Sequence, residues 1–232
     1  MDFFSKWHDA YINQADCSHF IRHFLCKSPE SNDALLNGSF DELTAAFSVI
    51  CNTPISCFIY ELRSLQYDRP ILTSEILQYS SFSDGVTRIP ELLQFYPDGE
   101  NFINLGYQMV AAPNEAANRK YGENHARLAE ALGLATISAS KPRYAKLSAW
   151  GQYLLQYSLE EKKDLFKKLL LREYYLQTII VQALNGPVSY FDIVSFLSES
   201  TALRRRSNTH HIIDFILIGT NIEDCLNNIN WQ

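Results

Sequence analysis

The chain has 232 residues, of which 47% are hydrophobic, 13% aromatic and 20% charged. This length suits one or two domains, and the aromatic share excludes an intrinsically disordered chain. No apolar run approaches about 18 residues, so we expect no transmembrane helix. The N-terminus lacks the basic and then apolar pattern of a signal peptide. The five cysteines are irregularly spaced, which favours reduced thiols in a cytoplasmic protein over a disulfide framework.

The net charge of −6 is unevenly distributed along the chain. Residues 1–110 hold 6 basic and 14 acidic side chains, whereas residues 111–232 hold 14 basic and 12 acidic ones. The second half is therefore suited to approach a polyanion, which the first half would repel. Chance variation of charge along a chain is the alternative interpretation.

Residues 1–85 are predicted to form an acidic, mostly helical region that serves partner binding or dimerisation. Apolar residues recur at helical spacing near its start. Ser39 and Glu42 form a capping box that opens a further helix. Residues 55–60 fit either a strand or a helix. The stretch 80–90, which contains Ser, Asp, Gly and Pro, is predicted to be a loop and the best domain boundary.

Residues 86–157 follow the element order of a winged helix. A helix-turn-helix is followed by two strands that a basic turn joins. Leu128, Leu132 and His125 are expected to face the core, and Gly133 to end the second helix. A small α+β domain with an ordinary basic hairpin is the alternative. The predicted elements are the helices Glu91–Tyr96, Asn101–Ala112 and Pro113–Leu132 and the strands Leu134–Ile137 and Tyr144–Leu147. The residues expected to contact DNA phosphates are Lys141, Arg143 and Lys146.

Residues 158–232 are predicted to hold a long linking helix and a second winged helix-turn-helix. A capping box at Ser158 and Glu161 opens the long helix, which runs to about Leu184. Its basic side chains favour a solvated face, with a phosphate-contacting face as the alternative. Its C-terminal end is apolar, which leaves burial in a homodimer interface open.

The last predicted helix, Thr201–Ile218, has a polar face opposite an apolar side that includes Leu203. This polar face suits the major groove, since Arg pairs with guanine edges and Asn with adenine edges. A solvated helix face is the alternative. The expected base contacts are Arg204, Ser207, Asn208 and His211, and the further expected phosphate contacts are Arg205 and Arg206.

The stretch Ser200–Ile216 resembles a signature of the tandem winged-helix modules in some bacterial type II restriction enzymes. Those modules run Ser-Thr, two Arg, Ser-Thr and then an apolar end that often holds two Trp. The elements Leu132–Leu134 and Leu147–Gly151 are similar to the first winged helix of such modules. The resemblance covers about residues 90–218 and implies DNA binding. Apolar residues other than Trp stand at the two usual Trp positions, namely Ile212 and Phe215.

No nuclease site is expected. A restriction-type nuclease needs an Asp and a Glu-x-Lys on adjacent strands to bind Mg²⁺, and residues 1–110 contain no Glu-x-Lys. The match at Glu160–Lys162 opens a predicted helix, where acidic side chains are favourable for the helix itself. No glycine-rich phosphate loop is present, and no cofactor is expected.

One group of residues near the N-terminus is a weak metal candidate. Cysteine and histidine are ligands of zinc, but the spacing is unusual, and one straight helix cannot surround a tetrahedral ion. A helix with surface histidines and a buried thiol is the favoured interpretation. The four residues are Cys17, His19, His23 and Cys26.

The sequence therefore predicts a mainly α protein with small β wings, built as a tandem winged helix-turn-helix with a helical N-terminal part. The first hypothesis is a non-catalytic protein that binds double-stranded DNA, in a restriction, anti-phage or transcription-control setting. The second is a protein–protein adaptor that docks through its winged helices. The two hypotheses make different predictions for Arg204–Arg206. Pairing of these arginines with acidic side chains of the same chain would favour the adaptor. A protein partner for the acidic region, a homodimer and an unrecognised activity in residues 1–85 are left open.

Overall fold

The computed structural model describes residues 2–65, 69–139 and 141–232, and they form a mainly helical fold with two small sheets, as predicted. The helices are α1 (Phe3–Ile12), α2 (Ser18–Leu25), α3 (Pro29–Asn37), α4 (Phe40–Asn52), α5 (Ile55–Leu62), α6 (Ile89–Leu93), α7 (Phe102–Val110), α8 (Glu115–Ala131), α9 (Ala149–Leu154), α10 (Lys163–Leu170), α11 (Tyr174–Asn185), α12 (Tyr190–Ile193) and α13 (Glu199–Leu217). The strands are β1 (Glu100–Asn101), β2 (Ala135–Ile137), β3 (Tyr144–Leu147), β4 (Val188–Ser189) and β5 (Ile229–Asn230).

Short polar side chains begin the N-terminal helices. Ser39 Oγ accepts the backbone N–H of Glu42 at 3.3 Å, which confirms the predicted start of α4. Residues 55–60 belong to α5 and are helical. Four fully buried aromatic side chains then join α1, α2 and α5 in the core, and they are Phe4, Trp7, Phe24 and Phe58.

The prediction of a loop over residues 80–90 was wrong. The chain enters a π-helical turn, Asp84–Arg88, that continues directly into α6. A Cβ atom at Gly85 would lie 2.6 Å from Leu128 Cδ2. The glycine therefore serves close packing against α8 rather than a turn. The buried hydrophobic side chains on both sides of this segment belong to one cluster that extends from Phe4 to Ile229.

The helices α6, α7 and α8 and the strands β2 and β3 follow one another in the order that the sequence predicted between residues 86 and 157. Strand β3 is central and pairs antiparallel with both β1 and β2. Gly133 has φ +73 and ends α8, as predicted. The predicted core positions are confirmed, because Leu128, Leu132 and His125 are all buried.

Two glycines let α7 and α8 cross closely. A Cβ atom at Gly106 would lie 1.9 Å from the Asn118 carbonyl oxygen, and one at Gly122 would lie 2.1 Å from the Phe102 carbonyl oxygen. The Asn118 amide also fixes the turn between the helices, since it accepts from the Ala112 N–H at 2.8 Å and donates to the Ala112 carbonyl at 3.1 Å. The crossing of the two helices is therefore set by backbone contact.

The predicted long linking helix is instead two helices, α10 and α11. Glu161 Oε2 accepts the Ser158 N–H at 2.8 Å, as predicted, but the chain turns again after Leu170. At this break, Gln177 Nε2 donates to the Leu171 carbonyl at 2.7 Å and so satisfies an acceptor that the helix end releases. The side chains expected at a homodimer interface are buried within the chain itself, and they include Tyr175, Ile179 and Ile180.

The basic side chains of residues 162–172 do not form the solvated face that the sequence favoured. Four of them donate to carbonyl groups at the C-terminal ends of four other helices, where carbonyls lack partners and the helix dipole favours cations. Burial lowers the pKa of Arg172 to about 10. The pairs are Lys162 with Leu154 of α9 (3.2 Å), Lys167 with Ile218 after α13 (3.1 Å), Lys168 with Ile50 of α4 (2.8 Å) and Arg172 with Phe24 of α2 (2.9 Å).

Helices α12 and α13 correspond to the two predicted C-terminal helices, but no hairpin follows them. The chain after α13 forms a 3₁₀ turn, Glu223–Asn228, and then β5, which pairs in parallel with β4. The predicted second winged helix-turn-helix therefore lacks an antiparallel wing in this fully described part of the chain. Leu203 was predicted to face the core and is 45% exposed, because Ala202 takes the buried position at that turn of the helix.

No single helix among the described residues has both the length and the apolar character needed to cross a membrane. Helices α4 and α5 meet that criterion only when taken together, and they are bent by 86° relative to each other.

Candidate nucleic-acid interface

The solvent-facing side of α8 carries basic residues that the sequence analysis did not single out. Arg119 and Lys120 are exposed, and neither makes an ion pair with another described residue. Their buried neighbours on the helix are Asn118, Gly122 and His125. Residues three and four apart share a helix face. A helical projection of α8 would therefore have separated the buried positions from the basic ones, and this was the signal from which the basic face could have been predicted.

The β2–β3 hairpin extends this surface. Lys141 and Arg143 are exposed, and Arg143 Nη1 lies 3.5 Å from Glu123 Oε1 of α8. Glu123 Oε1 also lies 3.9 Å from Arg127 Nη2. Partly exposed ion pairs of this kind contribute about 0–1 kcal/mol, so the arginines are free to exchange a carboxylate for a phosphate.

Lys146 faces a different groove from the other two basic hairpin residues. It is exposed on β3, next to the buried Ala145. It lines a groove of about 270 Å³ that also contains Gln94, Tyr96 and Gln152. Of the three hairpin residues predicted to contact phosphates, Arg143 is the one that the structure places against α8.

The local charge of this unit is opposite to that of the whole chain. Residues 115–147 hold six Lys and Arg and three Glu, whereas the full chain has a net charge of −6. The six basic residues are Arg119, Lys120, Arg127, Lys141, Arg143 and Lys146, and the three acids are Glu115, Glu123 and Glu130. A local basic surface of this kind is enough to attract a polyanion at distances within the Debye length.

Helix α13 presents three of its predicted contact residues to solvent. Arg204, Ser207 and His211 are exposed. Arg204 Nη2 lies 3.4 Å from Thr201 Oγ1, one helical turn away, and Arg204 makes no ion pair with any described residue. These three side chains are available to a ligand.

The other three predicted residues of α13 donate to backbone carbonyls elsewhere in this chain. Among the described residues they pair with no acid, whereas the adaptor hypothesis expected such pairs, and they are partly buried rather than fully exposed. Burial lowers the pKa of the Arg205 guanidinium, and the neighbouring Arg204 lowers it further. The pairs are Arg205 with Thr73 and Ile76 (3.0 Å for Ile76), Arg206 with Trp231 (3.1 Å) and Asn208 with Tyr79 (2.7 Å).

The weak metal candidate Cys17, His19, His23 and Cys26 does not converge on one point. The ring centroids of His19 and His23 are 4.2 Å apart, and both rings line a groove of about 570 Å³. Cys17 lines a separate groove of about 400 Å³, together with Cys57. Within the described parts of the chain, no three His, Cys, Asp or Glu side chains gather in a way that suits a metal ion.

Comparisons of this chain with protein-family models, with curated proteins and with solved structures give no match. A fold alone does not define a function, so the function has to be inferred from the surface of α8, the hairpin and α13.

Proposed function

We propose that this protein is a non-catalytic DNA-binding protein that contacts double-stranded DNA through α8 and the β2–β3 hairpin. The observation that carries the proposal is the exposed pair Arg119 and Lys120 on α8, a helix that Arg143 of the hairpin contacts through Glu123, while Lys141 is exposed on the same hairpin. The sheet order β1-β3-β2 around α7 and α8 is the order expected of a winged helix. In such a module, α8 lies in the major groove, which is about 12 Å wide and admits one helix.

The side chains divide into two roles. Residues near the N-terminus of a recognition helix contact base edges, and Arg119 and Lys120 are of the types that donate to guanine O6 and N7. Lys141 and Arg143 bind phosphates and so fix the position of the hairpin on the backbone. Affinity comes mainly from the release of counterions, and base preference comes from α8.

Helix α13 supplies a second contact surface in this proposal. Its exposed residues Arg204, Ser207 and His211 remain candidates for base or phosphate contacts. Arg205 and Asn208 are not included, because Arg205 Nη1 and Asn208 Nδ2 already donate to carbonyls of this chain and Arg205 Nε is buried. The setting in restriction, anti-phage defence or transcription control stays a prediction.

A double substitution with a charge-matched control tests this proposal. Arg119→Gln/Lys120→Gln removes two positive charges from α8, and Arg63→Gln/Lys163→Gln removes two from exposed positions outside the proposed surface. Fluorescence anisotropy with a duplex of about 20 base pairs at about 50 mM salt gives the affinities. We expect roughly a tenfold or greater loss for the first variant only, since one good base contact contributes about 1–3 kcal/mol. An equal loss in both variants would show that net charge alone matters.

A protein partner is the second candidate for the N-terminal region, and one observation favours it. The 570 Å³ groove that His19 and His23 line is rich in carboxylates and contains one lysine, Lys6. It therefore suits a basic segment of another protein rather than DNA. A labelled oligolysine peptide should bind at low salt and lose affinity in Glu30→Gln/Asp33→Asn, and equal binding by both proteins would exclude this groove. The acids of the groove are Asp2, Glu30, Asp33 and Glu42.

A further inference from the structure

Residues 73–84 contact both α13 and α8, and we call them the bridging segment. On one side, α13 binds its backbone. Arg205 Nη1 donates to the Ile76 carbonyl at 3.0 Å and to the Thr73 carbonyl as well. Asn208 Nδ2 donates to the Tyr79 carbonyl at 2.7 Å. These contacts join positions about 130 residues apart in sequence.

On the other side, the bridging segment binds α8. His125 Nε2 lies 3.4 Å from the Ser80 backbone nitrogen and 3.3 Å from the Ser81 backbone nitrogen. Backbone N–H groups only donate, so Nε2 is the acceptor, and the Ser80 hydroxyl, whose Oγ lies 3.4 Å from Nε2, can donate to it as well. Nδ1 therefore carries the hydrogen that it donates to the Tyr121 carbonyl at 2.8 Å. Tyr121 in turn donates its hydroxyl hydrogen to Asp84 Oδ2 at 2.6 Å.

We propose that the bridging segment positions α8 for DNA contact, with Asn208, Arg205 and His125 as positioning residues that do not touch DNA themselves. This inference rests on the proposed function. Helix α8 is fixed to α7 at the Gly106 and Gly122 crossing, and the bridging segment adds a fixed point next to the proposed contact residues. A change on α13 then alters affinity at α8 through a continuous series of hydrogen bonds.

The same geometry predicts how acid affects DNA binding. A protonated His125 carries a hydrogen on Nε2 and cannot accept from the Ser80 and Ser81 N–H groups, so these two hydrogen bonds are lost. The Ser80 hydroxyl can then accept from Nε2, and Tyr121 keeps its hydrogen bond to Asp84, so the contact with the bridging segment is weakened. Protonation of histidine nevertheless makes the net charge of the protein more positive, and this change by itself strengthens binding to DNA. The two effects have opposite signs and are therefore separable.

Several charged groups belong to the elements packed against α8. The Asp84 carboxylate favours the protonated His125 ring, but burial opposes protonation more strongly, and the pKa of His125 is lowered from 6.5. The π-helical turn also contains Arg88, and α6 contains Glu91, while α7 and β2 carry no charged residue. Loss of the two backbone hydrogen bonds to His125 is therefore expected below about pH 6.5 rather than at neutral pH.

The test compares two asparagines with equivalent hydrogen bonds. Asn208→Ala removes the contact with Tyr79, and Asn228→Ala removes a 2.7 Å hydrogen bond from Nδ2 to the Ala183 carbonyl outside the bridging segment. The second variant, Arg205→Lys, keeps the positive charge but loses the planar guanidinium that donates to the Thr73 and Ile76 carbonyls. DNA affinity is measured by anisotropy with the duplex described above. We expect about a fivefold loss for Asn208→Ala, the equivalent of one hydrogen bond of about 1 kcal/mol, and no change for Asn228→Ala.

The acid dependence is measured on the same duplex between about pH 8 and pH 5.5. The expected result is that affinity falls with acid in the wild type and does not fall in His125→Gln. A rise in affinity with acid that is equal in both proteins would overturn the role of His125.

The remaining outcomes separate this inference from the proposed function. If the wild type binds DNA and Asn208→Ala binds equally well, the bridging role is wrong and the proposed function stands. If the wild type binds no DNA, the proposed function is wrong, and hydrogen exchange in residues 117–127 then tests the bridge directly. Faster exchange in Asn208→Ala than in Asn228→Ala supports the bridge, and equal exchange overturns it.

Discussion

Arg143 of the hairpin and Glu123 of α8 form an ion pair, with Nη1 and Oε1 3.5 Å apart. Glu123 Oε1 also lies 3.9 Å from Arg127 Nη2, although Arg127 pairs more closely with Glu130, at 2.9 Å. Glu123→Gln should therefore raise DNA affinity by up to about fivefold, mainly by freeing Arg143, since a partly exposed ion pair contributes about 0–1 kcal/mol. Anisotropy titrations of both proteins on one duplex measure this ratio. Weaker binding by the variant would mean that Glu123 supports the interface instead of competing with it.

Gly106→Ala should destabilise the fold, although alanine is the better helix former by about 1 kcal/mol. The new Cβ atom would lie 1.9 Å from the Asn118 carbonyl oxygen, which is backbone and cannot move independently. We expect a net loss of about 1–3 kcal/mol in the free energy of unfolding, as in other overpacked cores. Urea unfolding followed by circular dichroism checks this, and an increase in stability would contradict the close crossing of α7 and α8.

Lys168→Met should be strongly destabilising because it leaves two carbonyl groups at the end of α4 without a donor. Lys168 Nζ lies 2.8 Å from the Ile50 and Cys51 carbonyl oxygens, and its side chain is 2% exposed. The expected loss is about 2–3 kcal/mol. The control Lys163→Met removes an exposed lysine of the same helix and should change stability by about 0.5 kcal/mol or less. Similar melting temperatures for the two variants would refute the proposed role of Lys168.

Stability should fall with acid through His125. Burial lowers its folded-state pKa below the ordinary value of 6.5, so the unfolded chain binds this proton more tightly. Its contribution is therefore fully present above about pH 6.5 and is lost as the pH falls from 6.5 towards the folded pKa, with a slope of at most about 1.4 kcal/mol per pH unit. Urea unfolding between about pH 8 and 5.5 should show a smaller slope for His125→Gln. Identical slopes would exclude His125 as the cause.

The sequence was most informative where the pattern is local. A capping box predicted the start of α4, and Gly133 predicted the end of α8. The second capping box was expected to open a helix at Ser158, and its contact forms, but α10 begins only at Lys163. The order of α7, α8 and the hairpin followed from the helical segments, the stop at Gly133 and a polar, basic turn between two short strand segments. These signals need only neighbouring residues, and they are independent of how the helices pack.

The contacts of the polar residues on helix faces could not be predicted from the sequence, because their partners lie far away along the chain. Lys168 binds carbonyls 117 and 118 residues away, and Asn208 binds one 129 residues away. A helical projection cannot distinguish a lysine that caps another helix from one in solvent. The same limit explains why the contact face on α13 was predicted to be larger than its exposed residues Arg204, Ser207 and His211, while Arg119 and Lys120 on α8 were missed.

The salt dependence of binding to a random duplex tests the central claim most directly. A random duplex offers no preferred base edges, so in this non-specific mode Arg119 and Lys120 contact phosphates, as Lys141 and Arg143 do. If each of the four side chains neutralises one phosphate, the logarithm of the binding constant should fall with the logarithm of the salt concentration with a slope of about −3.6. Titrations between about 50 and 200 mM salt measure this slope. The account predicts a slope close to this value and a shallower one for Arg119→Gln/Lys120→Gln. No binding at about 50 mM salt, or a slope that the double variant leaves unchanged, would contradict it.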